Sequence, residues 1–300
     1  MIPVILGPTG IGKSNAAAEL AGLINGEIIS CDSRQIYKFM DIVTAKPTKR
    51  ELADLRHHLI DIVEPDVEYS AARWVADCVS AIDEIKSRGK VPIICGGTFF
   101  YISALRNGFD LSSKKDSALR EKLEETARKD GIDKLYESLV RKNPERAKQI
   151  NPGDKYRITR ALEIEYGEKS ELLRSEIESE FSYIVFSCPR EELYERINKR
   201  IDKMLEDGLF EEYKRICEKY PDPKTSGRNC VGYREFDGFC EKTQSFENCV
   251  SLIKQHSRNY AKRQLTWLRN KERDKKTLDV EKLAYCGKNI ARELCNLLFY

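Results

Sequence analysis

Residues 7–14 read Gly-Pro-Thr-Gly-Ile-Gly-Lys-Ser, which is Gly7, four residues, then Gly12-Lys13-Ser14. Glycines at this spacing let consecutive backbone N–H groups converge on anionic oxygens at a helix N-terminus. Lys13 adds a point charge and the Ser14 hydroxyl can hold Mg²⁺. The bland alternative is a glycine turn ahead of a helix. Chance supplies this pattern in roughly one chain of this length in a hundred, and a strand-like run before it and a helical run after it favour a di- or triphosphate site. An enzyme that hydrolyses or transfers phosphate would also show an apolar strand ending in a metal-binding Asp. The strand read at 91–95 ends instead in Cys95-Gly96-Gly97-Thr98, and Asp61 in "HLIDIV" is a weak substitute. Asp32 is better placed, at the C-terminal end of the strand read at 27–31, the edge where open α/β sheets bind ligands. A surface Asp capping a turn is the competing reading.

These residues need a parallel sheet to hold them. Apolar runs at 2–6, 27–31, 91–95 and 183–188 alternate with helical patterns, which predicts β-α-β units and a P-loop-type α/β core. A helix is expected over 15–23. A second is expected after Ser70 as N-cap, stopping at Gly89. Between 114 and 177 the periodicity is helical throughout, with Asn-Pro breaks at 143–144 and 151–152. That predicts an all-helical insertion, so that 1–113 and 178–300 form the core domain, with helices dominating from 190 to 270.

Composition narrows the class. Of 300 residues, 41% are hydrophobic and 34% charged, as in a foldable soluble chain, and no run approaches the ~20 apolar residues of a membrane span. The strand-like run begins at once, so no signal peptide is expected. The ten cysteines are scattered without a C-x-x-C pair, so free thiols in a reducing cytoplasm are expected. A net charge of +3 says little, but residues 255–276 hold eight Lys or Arg against two acids. At helical spacing Arg258, Lys262, Arg269 and Arg273 share an arc of roughly 60°. That stripe is either a solvated helix face or a surface for phosphate backbones.

Nine stretches, "GPTGIGKS", "CDSRQIY", "DIVTAKP", "HHLID", "GGTFFY", "NPGDKYRITRALE", "RINKRIDKMLEDGL", "VGYRE" and "YAKRQLTWLRN", stand in the order and spacing of bacterial tRNA dimethylallyltransferases. The resemblance runs from residue 2 to about 270. It implies transfer of a dimethylallyl group from dimethylallyl diphosphate to N6 of the adenine at tRNA position 37. Loop residues Gly7, Pro8, Thr9, Gly10, Ile11, Gly12, Lys13 and Ser14 would then cradle the diphosphate, with Mg²⁺ bridging to Ser14. Arg200 stands where the family places an arginine on the diphosphate. Asp32 matches the family's proposed general base, and Thr98 a threonine near the reacting centre. Asp32, Ser33, Arg34 and Gln35 match the stretch that reads the base, Gln35 on the adenine edge. Arg157 and Arg160, with Arg120 as a third contact, would grip the anticodon stem-loop from the insertion. His57 and His58 are expected to orient loops. The sequence departs from the family at Val43, usually Gly, and at Phe99, usually small. Neither is expected to touch a chemical group, although Phe99 could reshape the substrate channel. The resemblance further implies a cytoplasmic, monomeric protein with no membrane partner.

Two alternatives keep the same core. An adenylate isopentenyltransferase would prenylate free AMP, ADP or ATP, leaving the helical insertion and the basic C-terminal third without a role. A P-loop small-molecule kinase would place ATP on Lys13 and use Asp32 as base on a hydroxyl, but lid arginines at recognisable spacing are missing. A non-catalytic RNA-binding protein with a vestigial loop would not need Lys13, Ser14 and Asp32 together.

Overall fold

A computed structural model describes residues 1–107, 117–167, 180–271, 276–285 and 289–299. The chain divides into two compact units, Met1–Ala104 with Glu176–Tyr300, and Leu105–Ser175. The smaller unit thus begins at Leu105, where the sequence placed its start at 114. Residues 114–116 and 168–177 of the expected insertion, and Arg273 of the basic stripe, lie outside the described residues.

The first unit is built on β1 (Ile2–Leu6), α1 (Lys13–Ile24), β2 (Gly26–Cys31), α2 (Lys49–Asp54), β3 (His57–His58), α3 (Ala71–Ser87), β4 (Val91–Gly96) and most of α4 (Phe99–Asn107). The second holds α5 (Ser117–Lys129), α6 (Ile132–Lys142), α7 (Pro144–Lys148) and α8 (Lys155–Tyr166). The chain then returns to the first unit through β5 (Phe181–Ser187), α9 (Arg190–Glu206), α10 (Leu209–Lys219), α11 (Arg234–Cys240), α12 (Phe246–Lys271), β6 (Lys276–Asp279), α13 (Val280–Tyr285) and α14 (Ile290–Phe299).

The six strands run parallel in the order β3-β2-β4-β1-β5-β6. Central strands of such a sheet are covered on both faces, so they read as unbroken apolar runs rather than alternating ones. All five residues of β1 are buried accordingly. Register carries three strand ends to one edge, because Leu6 pairs with Gly96 and Cys31 pairs with Gly96 from the other side. The phosphate loop, Asp32 and the Gly97–Thr98 turn therefore leave the sheet side by side. Behind β2, α3 is capped by Ser70, whose side chain accepts from Arg73 N–H. The buried Trp74 indole of α3 donates to Ser30 O at 3.0 Å.

The second unit folds four helices around Leu123, Leu135, Leu139, Ile158 and Leu162. Asn143 and Asp154 cap α7 and α8 through their side chains. The Asn-Pro breaks seen in the sequence are thus helix boundaries, with Pro144 at the tolerated first position.

Candidate active site

Gly12 ends the loop with φ +94° and is the N-cap of α1, with no side chain capping the helix. The first amides of α1 are therefore left for a ligand, and the helix dipole favours an anion there. Gly10 also has positive φ, +83°, and a Cβ on it would lie 3.0 Å from Ile197 of α9. Thr9, Gly10, Gly12, Lys13 and Ser14 line a crevice of about 560 Å³. Gly7, Pro8 and Ile11 do not: all three are buried behind it.

Two cations face this loop. Lys13 Nζ donates to Pro8 O at 2.8 Å. Burial disfavours its ammonium and lowers the pKa to about 8, against the upward pull of Cys95 and Asp32. Arg200, on α9, donates from Nη2 to Thr9 Oγ1 at 2.7 Å. Its Nε is buried with no hydrogen-bond partner. Burial lowers the Arg200 pKa and Asp32 partly restores it. A buried guanidinium nitrogen left unpaired costs free energy unless something binds it. Arg200 lines the crevice, so an anion bound there would lie beside its guanidinium.

Asp32 also lines the crevice. Its Oδ1 accepts from Arg34 N–H at 2.8 Å and Gln35 N–H at 3.4 Å, which is an Asx turn. Oδ2 has no protein partner among the described residues, so the turn-capping and chemical readings of Asp32 are compatible. Thr98 Oγ1 accepts from Ser33 N–H at 2.9 Å. It therefore braces the stretch that begins at Asp32 rather than forming crevice wall.

Ser33, Arg34 and Gln35 line the crevice too, but Gln35 is committed inward. Its Oε1 accepts from Ser30 Oγ at 2.9 Å, and its amide donates to Thr44 O and Ala45 O at 3.3 and 3.2 Å. Arg34 donates to Ser226 O at 2.7 Å. The wall opposite, Val43–Ala45, hangs from Glu212 of α10, which is 3% exposed. Its carboxylate accepts from the N–H groups of Asp41, Ile42 and Val43 at 2.7–3.0 Å and from Tyr233 OH at 2.7 Å. Lys46 closes the same loop on Asp41 and Asp61, at 2.7 and 2.5 Å. Asp61 is thus a structural partner of Lys46.

The two departures from the family pattern sit differently. Val43 is on the crevice wall. Phe99 is buried and stacks on Trp267 of α12, with centroids 4.9 Å apart. It fills core, and of the two departures only Val43 lines the crevice.

From α12, Ala261, Gln264 and Leu268 turn inward while Tyr260, Arg263 and Gln264 reach the crevice. The basic stripe behaves mostly as solvated surface, with Lys262 and Arg269 exposed and Arg258 held by Asn198 at 2.7 Å. Arg263, off that arc, is the stripe's neighbour that meets the site. Arg234, within the "VGYRE" stretch, and Asn229, outside it, line it as well, and the sequence singled out neither as a site residue. His58 is far from this chemistry, bonded to Glu27 at 2.7 Å. Burial would raise the Glu27 carboxyl, but hydrogen bonds from His58, Arg88 and Lys90 bring it down to about 2.

In the second unit, Glu163 is 4% exposed and pairs with Arg160 at 2.8 Å and Arg120 at 3.8 Å. Arg157 stays largely exposed beside Asp154, at 3.4 Å.

Parallel strands, a phosphate loop opening α1, and a carboxylate at the end of β2, one strand removed from β1, define a P-loop-type α/β protein with a helical second unit. The chain belongs to the IPP transferase family, whose profile matches residues 35–271. A tRNA dimethylallyltransferase of Halothermothrix orenii is 42% identical over 274 residues, covering 89% of this chain and 84% of the relative. One from Thermosipho africanus is 42% identical over 271 residues, covering 89% of each. The solved tRNA delta(2)-isopentenylpyrophosphate transferase of Staphylococcus epidermidis is 38% identical with a TM-score of 0.71, covering 98% of this chain and 97% of its own. A eukaryotic dimethylallyltransferase acting on tRNA is 30% identical with a TM-score of 0.82, covering 97% and 77%. No helix among the described residues is long and apolar enough to cross a membrane.

Proposed function

We propose that this protein is a tRNA dimethylallyltransferase, moving a dimethylallyl group from dimethylallyl diphosphate to N6 of the adenine at tRNA position 37. The observation that carries this reading is Arg200: a buried guanidinium with an orphan Nε, aimed with Lys13 at the loop before α1. In this reading no phosphoryl group moves. The C–O bond of the donor breaks, and negative charge grows on the departing diphosphate. Lys13, Arg200 and the free amides of α1 stabilise that charge more than they stabilise the bound donor. The absence of a carboxylate from Cys95-Gly96-Gly97 suits a leaving group better than a hydrolysed nucleotide.

The adenine amine is a weak nucleophile because its lone pair is delocalised into the ring. Asp32 Oδ2 accepts its proton as the C–N bond forms, while Oδ1 keeps the Asx turn. Thr98 holds Ser33, and so holds Asp32 in line. Gln35 supports the wall through Thr44 and Ala45, and the base edge meets other groups of the crevice. Ser14 is the protein donor available to Mg²⁺ at this loop. One hydroxyl would fit an ion that takes its other ligands from elsewhere. When bound, Mg²⁺ supplies charge neutralisation for the leaving group. The helical unit, with Arg157, Arg160 and Arg120, grips the anticodon stem-loop. The protein works in the cytoplasm as a monomer.

The test is nucleoside analysis. Unmodified tRNA is incubated with the protein, dimethylallyl diphosphate and Mg²⁺, digested, and separated by chromatography. N6-dimethylallyl adenosine at position 37 is expected. Its absence with correctly folded protein would sink the reading.

A further inference from the structure

β1 and β4 pair as far as Leu6 and Gly96, then part, one into the phosphate loop and the other into the Gly97–Thr98 turn. The side chain of Gln264, 5% exposed, enters that fork. Its Oε1 accepts from Thr9 N–H at 2.9 Å, and its Nε2 donates to Gly97 O at 2.9 Å. A primary amide offers an acceptor and donors much as a peptide group does. Gln264 thus extends the ladder one step past its end. The fork has no slack, because a Cβ on Gly97 would lie 2.5 Å from Gln264 Nε2. Each partner leads to a different side of the reaction. Thr9 holds Arg200 through Oγ1, and Gly97 precedes Thr98, which holds Ser33 beside Asp32.

We infer that Gln264 is a positioning residue: it fixes the spacing between the phosphate loop and the Gly97–Thr98 turn, and so sets the departing diphosphate against the attacking amine. The kinetic half of this inference rests on the function proposed above; the diphosphate half does not. Tyr260 and Arg263, on the same stretch of α12, line the crevice, so Gln264 is also where that helix is tied to the donor loop.

The experiment compares wild type, Gln264→Met, Gly97→Ala and the double variant. Methionine keeps the length of the side chain but can hold neither partner. Inorganic diphosphate binding with Mg²⁺ is measured by calorimetry, and kcat and KM by label transfer to an anticodon stem-loop. Each single change should weaken diphosphate about tenfold. Each should also lower kcat by about 10–100-fold while the stem-loop KM stays within about threefold. The double variant should be no worse than the worse single, since both break one bridge. Losses that multiply in the double variant would overturn the inference. So would a Gln264→Met protein that loses melting temperature alone, with Kd and kcat intact, for that is packing. If wild type labels no acceptor, the proposed function fails, while the four diphosphate affinities still decide the place of Gln264.

Discussion

In the proposed reading Lys13 and Arg200 hold the diphosphate by different means, and pH separates them. Below about pH 8 the Lys13 ammonium is charged in the free protein, because burial has lowered its pKa to about that value. Above it the charge is lost, so diphosphate affinity should be flat to about pH 8 and then fall by up to tenfold per pH unit. Lys13→Arg, which cannot deprotonate, should flatten that fall. Calorimetry with inorganic diphosphate from pH 7 to 9.5 checks this, and a pH-independent Kd in wild type would contradict it. At Asp32 the better probe is asparagine rather than alanine. An asparagine side chain there would keep an oxygen for the Arg34 and Gln35 amides, preserving the turn and removing only the proposed base. Asp32→Asn should lower turnover by roughly 10²–10⁴ with stem-loop affinity unchanged. A matching loss of stem-loop affinity would make Asp32 a binding residue.

Among the groups that hold the loop from Asp41 to Ala45, one buried carboxylate comes from a helix distant in sequence. Glu212 accepts three backbone N–H groups and a phenol there. Glu212→Gln would set an NH₂ against an N–H donor and should cost about 3 kcal/mol by urea unfolding, with a raised KM for the stem-loop. A cost below about 0.5 kcal/mol would mean that the loop holds itself. This device was not legible in the sequence, since a Glu in a charged helix carries no pattern that marks its partners. Gln264 was equally hidden within "AKRQLTW". What was legible were elements with strong local signals. The apolar runs of β1, β2 and β4 and the Ser70 cap were read within a residue or two. Two strands escaped. β3 has only two residues, and β6, Lys-Thr-Leu-Asp, buries only Leu278. Each is placed by its neighbour in the sheet rather than by its own residues. Phe99 was harder to place for a related reason: size suggested that it would reach the channel, but Trp267 takes it up in the core.

At the scale of the whole molecule, the crevice residues lie on the α/β unit, while the helical unit carries basic side chains of unequal freedom. Arg160 and Arg120 share the buried Glu163, whereas Arg157 is mostly in water. Arg157→Ala should therefore reduce the salt dependence of stem-loop binding by about one unit of log–log slope, read by filter binding between low and moderate salt. An unchanged slope would mean that Arg157 touches no phosphate. The central claim, that the loop before α1 serves alkyl transfer to RNA, is tested most directly by offering radiolabelled dimethylallyl diphosphate, with Mg²⁺, to an anticodon stem-loop, AMP and ATP in parallel. The account predicts label on the stem-loop and none on the free nucleotides. Label on AMP or ATP with a bare stem-loop would contradict it.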